Sequence, residues 1–337
     1  MTRQYWAHLL PGYEFNDRVR FLEDRGAAGI EVSQAYGPPF VHLAAAASIT
    51  ERLGLASGIT MGLTRSPFET AMATIDLDRI CNGRSVLGLG TGPEHFTAGY
   101  FGMPYDKPVS RLREVIQILR HVEDGARTGT MEPWNGKMYQ LKFDAYAPTL
   151  PPHRERVPVR VAALRGAMCE LAGELADGLI GHPIWSKEWA LNQAMESLAI
   201  GAARSGRDPA DIHLHSWITV SVDRDRRAAI DAAKSQVAYY AGFAQYEPYF
   251  EAHGFGPEAR KLQEAAKSME PPQAAAMVPD EMVKTFVACG TPDDVMEWIE
   301  PLWHRANSML VYNPYWGLTP EQVAYKRDLM DEMFWPG

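Results

Sequence analysis

The chain has 337 residues, enough for one large α/β domain or two ordinary ones. With 46% hydrophobic and 22% charged residues it has the balance of a soluble globular protein, and its net charge of -9 argues against nucleic acid or an anionic membrane surface as partner. No apolar run is long enough to span a bilayer and no basic-then-apolar leader is seen. The cysteines, Cys81, Cys169 and Cys289, are too scattered for a disulfide framework or a metal knuckle, and point to a reducing cytoplasm.

Tyr5 to Leu10 reads as a first strand, stopped by Pro11-Gly12. A helix is expected over Glu14 to Arg25, a second strand over Gly29 to Ser33, and an alanine-rich helix over Val41 to Leu53. Leu55 to Thr60 reads as strand three. Ser66-Pro67-Phe68-Glu69 then has the pattern of a capping box, opening a helix that closes near Cys81-Asn82-Gly83. Strand four is the apolar half of the stretch Ser85 to Phe96, a buried run that empties into a glycine turn and then Pro93-Glu94-His95. Three glycines in five residues there mark a turn or a close approach of backbone to something else.

A helix from Lys107-Pro108 to about His121 is followed by a hairpin excursion, Gly129 to Phe143, turning at Asn135-Gly136. A proline-rich connector, Pro148 to Pro158, leads to strand five, Val159 to Ala163. Helix Gly166 to Ala176, strand six Gly178 to Gly181, helix Ser186 to Arg204, strand seven His213 to Val222 and helix Arg224 to Tyr240 continue the alternation. An aromatic stretch from about 239 to 285 interrupts it. Thr291-Pro292 then caps a helix to about His304, Ser308 to Tyr312 is strand eight, and Thr319-Pro320 caps the last helix.

Eight strand–helix units predict a single (β/α)8 barrel over residues 1–337, with an insertion at about 239–285 between strands seven and eight. The rival, a doubly wound sheet, requires a dinucleotide fingerprint. Gly88-x-Gly90-x-Gly92 has the wrong spacing for one.

A barrel keeps its chemistry at the carboxyl ends of its strands. The candidates there are His8, Ser33 to Tyr36, Ser57 to Thr60, Glu94 with His95, Ala163 to Ala167, and His182. Arg165 beside the free amides of Gly166 and Ala167 at a helix start suits a phosphate. His8 inside a strand is otherwise a satisfied core imidazole. His213 and His215 share a strand face, but they open strand seven and lack ligand-spaced acids, so no metal site is expected. Tyr239, Tyr240, Phe243, Tyr246, Tyr249 and Phe250 read either as the packed face of a helix or as a roof over the site.

Leu53-Gly54-Leu55-Ala56-Ser57-Gly58-Ile59-Thr60, Arg65-Ser66-Pro67 and Asn82 to Gly92 together resemble the core signature of the bacterial-luciferase-like superfamily. Ala172 to Gly178 and Cys289 to Val295 extend the likeness over most of the chain. Within it the chain looks most like the branch that uses the deazaflavin coenzyme F420, the methylene-tetrahydromethanopterin reductases among them. The resemblance implies an F420-dependent oxidoreductase acting on a small molecule, with an FMN-dependent monooxygenase or a non-enzymatic flavin-binding relative as alternatives. It implies a cytoplasmic homodimer and a non-proline cis peptide at Gly58-Ile59. Gly58, Ile59 and Thr60 would then back the coenzyme ring, Gln34, Thr91 and Gly92 would line it, and Arg165, Gly166 and Ala167 would hold its phosphate. Glu94, then His182 or His8, would serve as acid or base. The family's Asp-His after strand two is Gln34-Ala35 here, its acid after the strand-four glycines is displaced by Pro93, and the acid of strand one in the reductase branch is His8.

Overall fold

The computed structural model describes residues 3–144 and 150–336. The fold is a (β/α)8 barrel in which parallel strands alternate with helices along the chain. By contact the chain divides into two compact units: Trp6–Ile180 with Glu196–His213, and Gly181–Met195 with everything from Leu214 on and the N-terminal residues up to Tyr5.

The first unit carries β1 (Tyr5–Leu9), β2 (Gly29–Val32), β3 (Gly54–Ser57), β4 (Thr60–Met61) and β5 (Ser85–Gly90). After these come a small hairpin of β6 (Trp134–Asn135) and β7 (Gln140–Leu141), then β8 (Val159–Ala162) and β9 (Gly178–Ile180). The bonded order is β1-β2-β3-β5-β8-β9, all parallel, with β4 also on β5. Helices α1 (Phe15–Asp24), α2 (Pro39–Ala47), α3 (Pro67–Ile80), α4 (Pro108–Thr128) and α5 (Gly166–Leu175) lie in this unit.

Its inner face holds unusually large and polar side chains, accommodated by glycine. The Trp6 ring fills the place of a Cβ at Gly29, its register partner, and comes within 2.6 Å of where a Gly54 Cβ would stand. Arg160 is buried with its guanidinium 5.3 Å from the Trp6 ring centroid. Alternate residues of a strand share a face. His8 therefore lies on the face of Trp6, and its register partner Glu31 on the face of Gly29.

The second unit carries β10 (His213–Val222), β11 (Ala288–Gly290) and β12 (Ser308–Tyr312), in the order β11-β10-β12. The region of 239–285 is helical: Glu247–Ala252, Gly256–Ala265, Pro271–Ala276 and Asp280–Phe286. Tyr249 and Phe250 are fully buried there against Phe286, so these two are packing residues. His215 Nδ1 meets Ser308 Oγ at 2.5 Å across the β10–β12 pair, a core polar contact.

Several boundaries depart from expectation for local reasons. The alanine-rich helix stops at Ala47, not Leu53. Ser48 and Thr50 hydroxyls donate to the carbonyls of Ala45 and Ala46, and the buried Glu23 carboxylate captures the N–H groups of Glu51, Arg52 and Leu53. Ser66 precedes α3 without a side-chain cap, because Glu69 turns to Arg65 at 3.5 Å; Thr291 and Thr319 do form capping boxes. Helix α4 continues to Thr128, burying Val122 and Ala126, and ends at Gly129 with φ 77°. In the hairpin, Asn135 pairs with Gln140, so the turn is 136–139 rather than Asn135-Gly136; the Glu114 carboxylate holds it by accepting from Lys137, Met138 and Tyr139 N–H. Asn192 breaks the helix expected over Ser186 to Arg204 into Lys187–Leu191 and Gln193–Arg204. Strand β11 was too short to stand out in the sequence. The first residues of the proline-rich connector lie partly outside the described residues.

Candidate functional site at the carboxyl ends of the strands

Strand three does not run unbroken from Leu55 to Thr60. It stops at Ser57, and pairing resumes on β5 at Thr60–Met61. Between them the Gly58-Ile59 peptide is cis. Two neighbours bind this bulge. Gly58 N–H donates to Val32 O at 3.0 Å, and Gln34 N–H donates to Ile59 O at 3.2 Å. The Gln34 side chain, buried, accepts from Met61 N–H at 2.9 Å and donates to Thr64 Oγ1 at 2.7 Å, while Thr64 Oγ1 donates to Met61 O at 2.8 Å. Gln34 is thus a clamp on the bulge's backbone, using both ends of its amide.

The three glycines of β5 explain themselves against the same segment. A Cβ on Gly88 would strike Ser57 O, one on Gly90 would strike Ile59 Cδ1, and one on Gly92 would stand 2.8 Å from Met61 Sδ. Each second glycine therefore admits each second residue of the bulge. Ser57 Oγ also donates to Gly88 O at 2.9 Å and accepts from Gly88 N–H at 3.1 Å. The close approach read from the glycines is first of all an approach of backbone to backbone.

Thr91 and Gly92 continue from this ladder into a turn with Gly92 at φ 67°. Tyr105 Oη donates to Gly92 O at 2.9 Å, and Thr97 Oγ1 donates to Thr91 O at 3.0 Å. Neither Tyr105 nor Thr97 was singled out from the sequence. Glu94 opens a π-helical turn, His95–Tyr100, and is exposed. The His95 and Phe96 ring centroids lie 4.7 Å apart in a tilted contact, and partial burial lowers the His95 pKa.

His8 and Glu31 lie one residue short of the ends of β1 and β2. Glu31 is fully buried and its carboxylate occupies the space of a Gly58 Cβ; His8 keeps part of its surface open. Burial drives the His8 pKa down to about 4, partly opposed by the Glu31 charge. Burial likewise lowers Arg160 to about 10, opposed by Glu31 and Asp177. A charged residue inside the apolar run Gly29-Ile30-Glu31-Val32 was the available signal for Glu31. So His8, Gly58, Ile59, Thr60, Gln34, Thr91 and Gly92 come together around the ends of β1 to β5.

Arg165, Gly166 and Ala167 stand at the start of α5 in the same unit. Arg165 is extended and exposed, no side chain caps the helix, and a Cβ on Gly166 would lie 3.2 Å from Ser197 Oγ. The first-turn amides, a guanidinium and a nearby hydroxyl are donors suited to a phosphate. Thr60 Oγ1, buried beside the bulge, has no hydrogen-bond partner among the described residues. An orphaned hydroxyl at the bulge and a donor-rich helix start are what a flat ring with a phosphate tail would use.

His182 belongs to the other unit. Its ring lies 5.1 Å from Tyr240 and 5.4 Å from Tyr246, and burial lowers its pKa to about 3. Ile184 N–H points at its Nδ1 from 3.4 Å. Two of the aromatics expected as packing or roof thus surround an imidazole, and Tyr239 stacks on Trp316 at 4.1 Å.

Residues 11–307 match the sequence profile of the luciferase-like monooxygenases. The chain is 33% identical over 283 residues to an uncharacterized protein of Mycobacterium tuberculosis, covering 83% of each chain. It is 29% identical over 297 residues to the 5,10-methylenetetrahydromethanopterin reductase of Archaeoglobus fulgidus, covering 86% of each. The structure of the coenzyme F420 dependent tetrahydromethanopterin reductase from Methanopyrus kandleri superposes with a TM-score of 0.82 at 24% identity, over 100% of this chain and 99% of that one.

Proposed function

The chain belongs to the luciferase-like monooxygenase family, and from that premise we propose that it is a coenzyme F420-dependent oxidoreductase acting on a small organic molecule. The observation that carries the reading is the Gly58-Ile59 bulge, seated on the glycines of β5 and clamped by Gln34. Support also comes from relatives named as a 5,10-methylenetetrahydromethanopterin reductase and as a putative coenzyme F420-dependent oxidoreductase.

Bound F420 would supply a two-electron centre that accepts or gives a hydride. The protein's part is position and proton control. Gly58, Ile59 and Thr60 back the ring, and Thr91 and Gly92 line it. Gln34 acts one step behind them, holding the bulge. Arg165 with the amides of Gly166 and Ala167 holds the phosphate. Among Glu94, His182 and His8 we place His8 first as acid or base. It sits near the end of β1 with part of its surface open, in the same group of strand ends as the bulge, where an imidazole can take or give a proton. The proposal takes the chain as one luciferase-like domain, cytoplasmic and homodimeric; no helix among the described residues is long and apolar enough to cross a membrane.

Parallel incubations with oxidised F420, reduced F420 and reduced FMN test it. Reduction or oxidation of F420 that requires an added organic substrate supports the reading. Oxygen consumption with reduced FMN, and none of this with F420, would assign the chain to FMN monooxygenase chemistry instead.

A further inference from the structure

We propose that His253 is a positioning residue for the loop that follows β9: with its hydrogen on Nδ1, its imidazole holds Ser186 and so fixes the segment that carries His182. The inference rests on the preceding reading only for its catalytic meaning, since a barrel keeps its chemistry at the ends of its strands. The contacts themselves lie within one unit of the fold.

Three residues of the insertion reach this loop. Tyr246 and Tyr249 are three apart and Tyr249 and His253 four, which sets all three on one side of the helix Glu247–Ala252 and its flanks. At the start of the loop, the Tyr246 ring lies 5.4 Å from the ring of His182. At its end, Ser186 N–H donates to Tyr249 Oη at 3.0 Å, and Ser186 Oγ meets His253 Nε2 at 2.9 Å. Between the two, Thr219 Oγ1 of β10 donates to Pro183 O at 2.8 Å, and Trp185 N–H closes a turn on His182 O at 2.8 Å. Ser186 is fully buried, so the contact with His253 is made away from water.

The neighbours give the Ser186–His253 bond its direction. His253 Nδ1 lies 2.8 Å from Tyr249 O, a carbonyl that can only accept, so Nδ1 carries the hydrogen. A neutral ring then has Nε2 bare, and Ser186 O–H donates to it while Ser186 Oγ accepts from Trp189 N–H at 3.0 Å. The surroundings keep the ring neutral. The rings of Trp189 on the helix Lys187–Leu191, of Tyr249 and of Phe286 on the helix Asp280–Phe286 have their centroids 5.5, 4.5 and 5.0 Å from it. Burial lowers its pKa, opposed less strongly by the Tyr249 carbonyl and the charge of Glu188. A proton on Nε2 would face the serine hydrogen, and Ser186 would have to turn its O–H elsewhere.

The test is nitrogen-15 NMR of the histidine rings at neutral pH in the full chain without coenzyme, for wild type and His253→Phe, with amide hydrogen exchange over residues 182–189. The Phe variant keeps a ring in the packing and removes the acceptor. The expected wild type shows His253 as one neutral tautomer with its hydrogen on Nδ1. His253→Phe should shift the His182 ring signals and speed exchange of the Trp185 amide about tenfold, the scale of one lost hydrogen bond. Unchanged His182 signals and unchanged loop exchange in His253→Phe would overturn the proposal. Should His253→Phe not fold, the wild type alone decides: a hydrogen on Nε2, or two neutral tautomers in exchange, contradicts it. A chain that fails to bind F420 defeats the functional reading, while the spectra still decide the role of His253.

Discussion

The carboxylate of Glu31 lies where a side chain on Gly58 would begin. A residue of β2 and the first residue of the β3–β4 bulge therefore exclude each other's volume, and glycine at 58 is a packing requirement. Gly58→Ala should displace Glu31 or the bulge and cost about 1–3 kcal/mol, the usual range for overpacking a tight interior. Urea denaturation measures it. A variant as stable as the wild type would mean that the carboxylate moves aside freely.

Gln34→Ala removes the acceptor of Met61 N–H and the donor to Thr64 Oγ1 from a buried position. The expected loss is about 1–3 kcal/mol of stability for a backbone donor left unsatisfied. Coenzyme affinity should fall as well, since the bulge loses its clamp. If stability falls and affinity does not, Gln34 supports the fold alone.

Arg165 is exposed, so Arg165→Met should change stability by less than about 0.5 kcal/mol. Loss of a charge-assisted contact to phosphate, about 1.5–3 kcal/mol, should weaken coenzyme binding about 10- to 100-fold. Isothermal titration calorimetry reads the affinity; equal Kd values for variant and wild type would remove the phosphate from this turn.

His182 has its pKa lowered by burial from 6.5 to about 3. Between those values the unfolded chain binds a proton that the folded one refuses. Stability therefore rises with pH across the window and is lost as pH falls through it. His8, lowered to about 4, acts with the same sign. His182→Gln should flatten the slope of stability against pH between about 6.5 and 4, as followed by urea midpoints. An unchanged slope would show His182 to be solvated.

Much of the fold is legible along the chain because its elements are punctuated locally. β10 and β12 match the alternating segment His213 to Val222 and the short run Ser308 to Tyr312 to the residue. Thr291 and Thr319 cap where their sequences say. Ser66 does not, because Glu69 has a nearer partner in Arg65. The site is less legible. Three glycines announce a close approach, but their partners Ser57, Ile59 and Met61 lie about thirty residues earlier, and spacing alone does not say which segment arrives. The position of the cis peptide followed from family likeness and not from any local pattern. Glu31 was passed over because a strand interior was read for its apolar residues, and the pairing that sets it beside His8 is a matter of register between strands.

The central claim is that the Gly58-Ile59 bulge and the Arg165 turn together hold a deazaflavin coenzyme. Equilibrium titration of the purified protein with oxidised F420, followed by coenzyme fluorescence and repeated with FMN, tests it most directly. Saturable binding of F420 at micromolar concentration, with FMN much weaker, is the predicted result. Tight FMN binding with no response to F420 would contradict it.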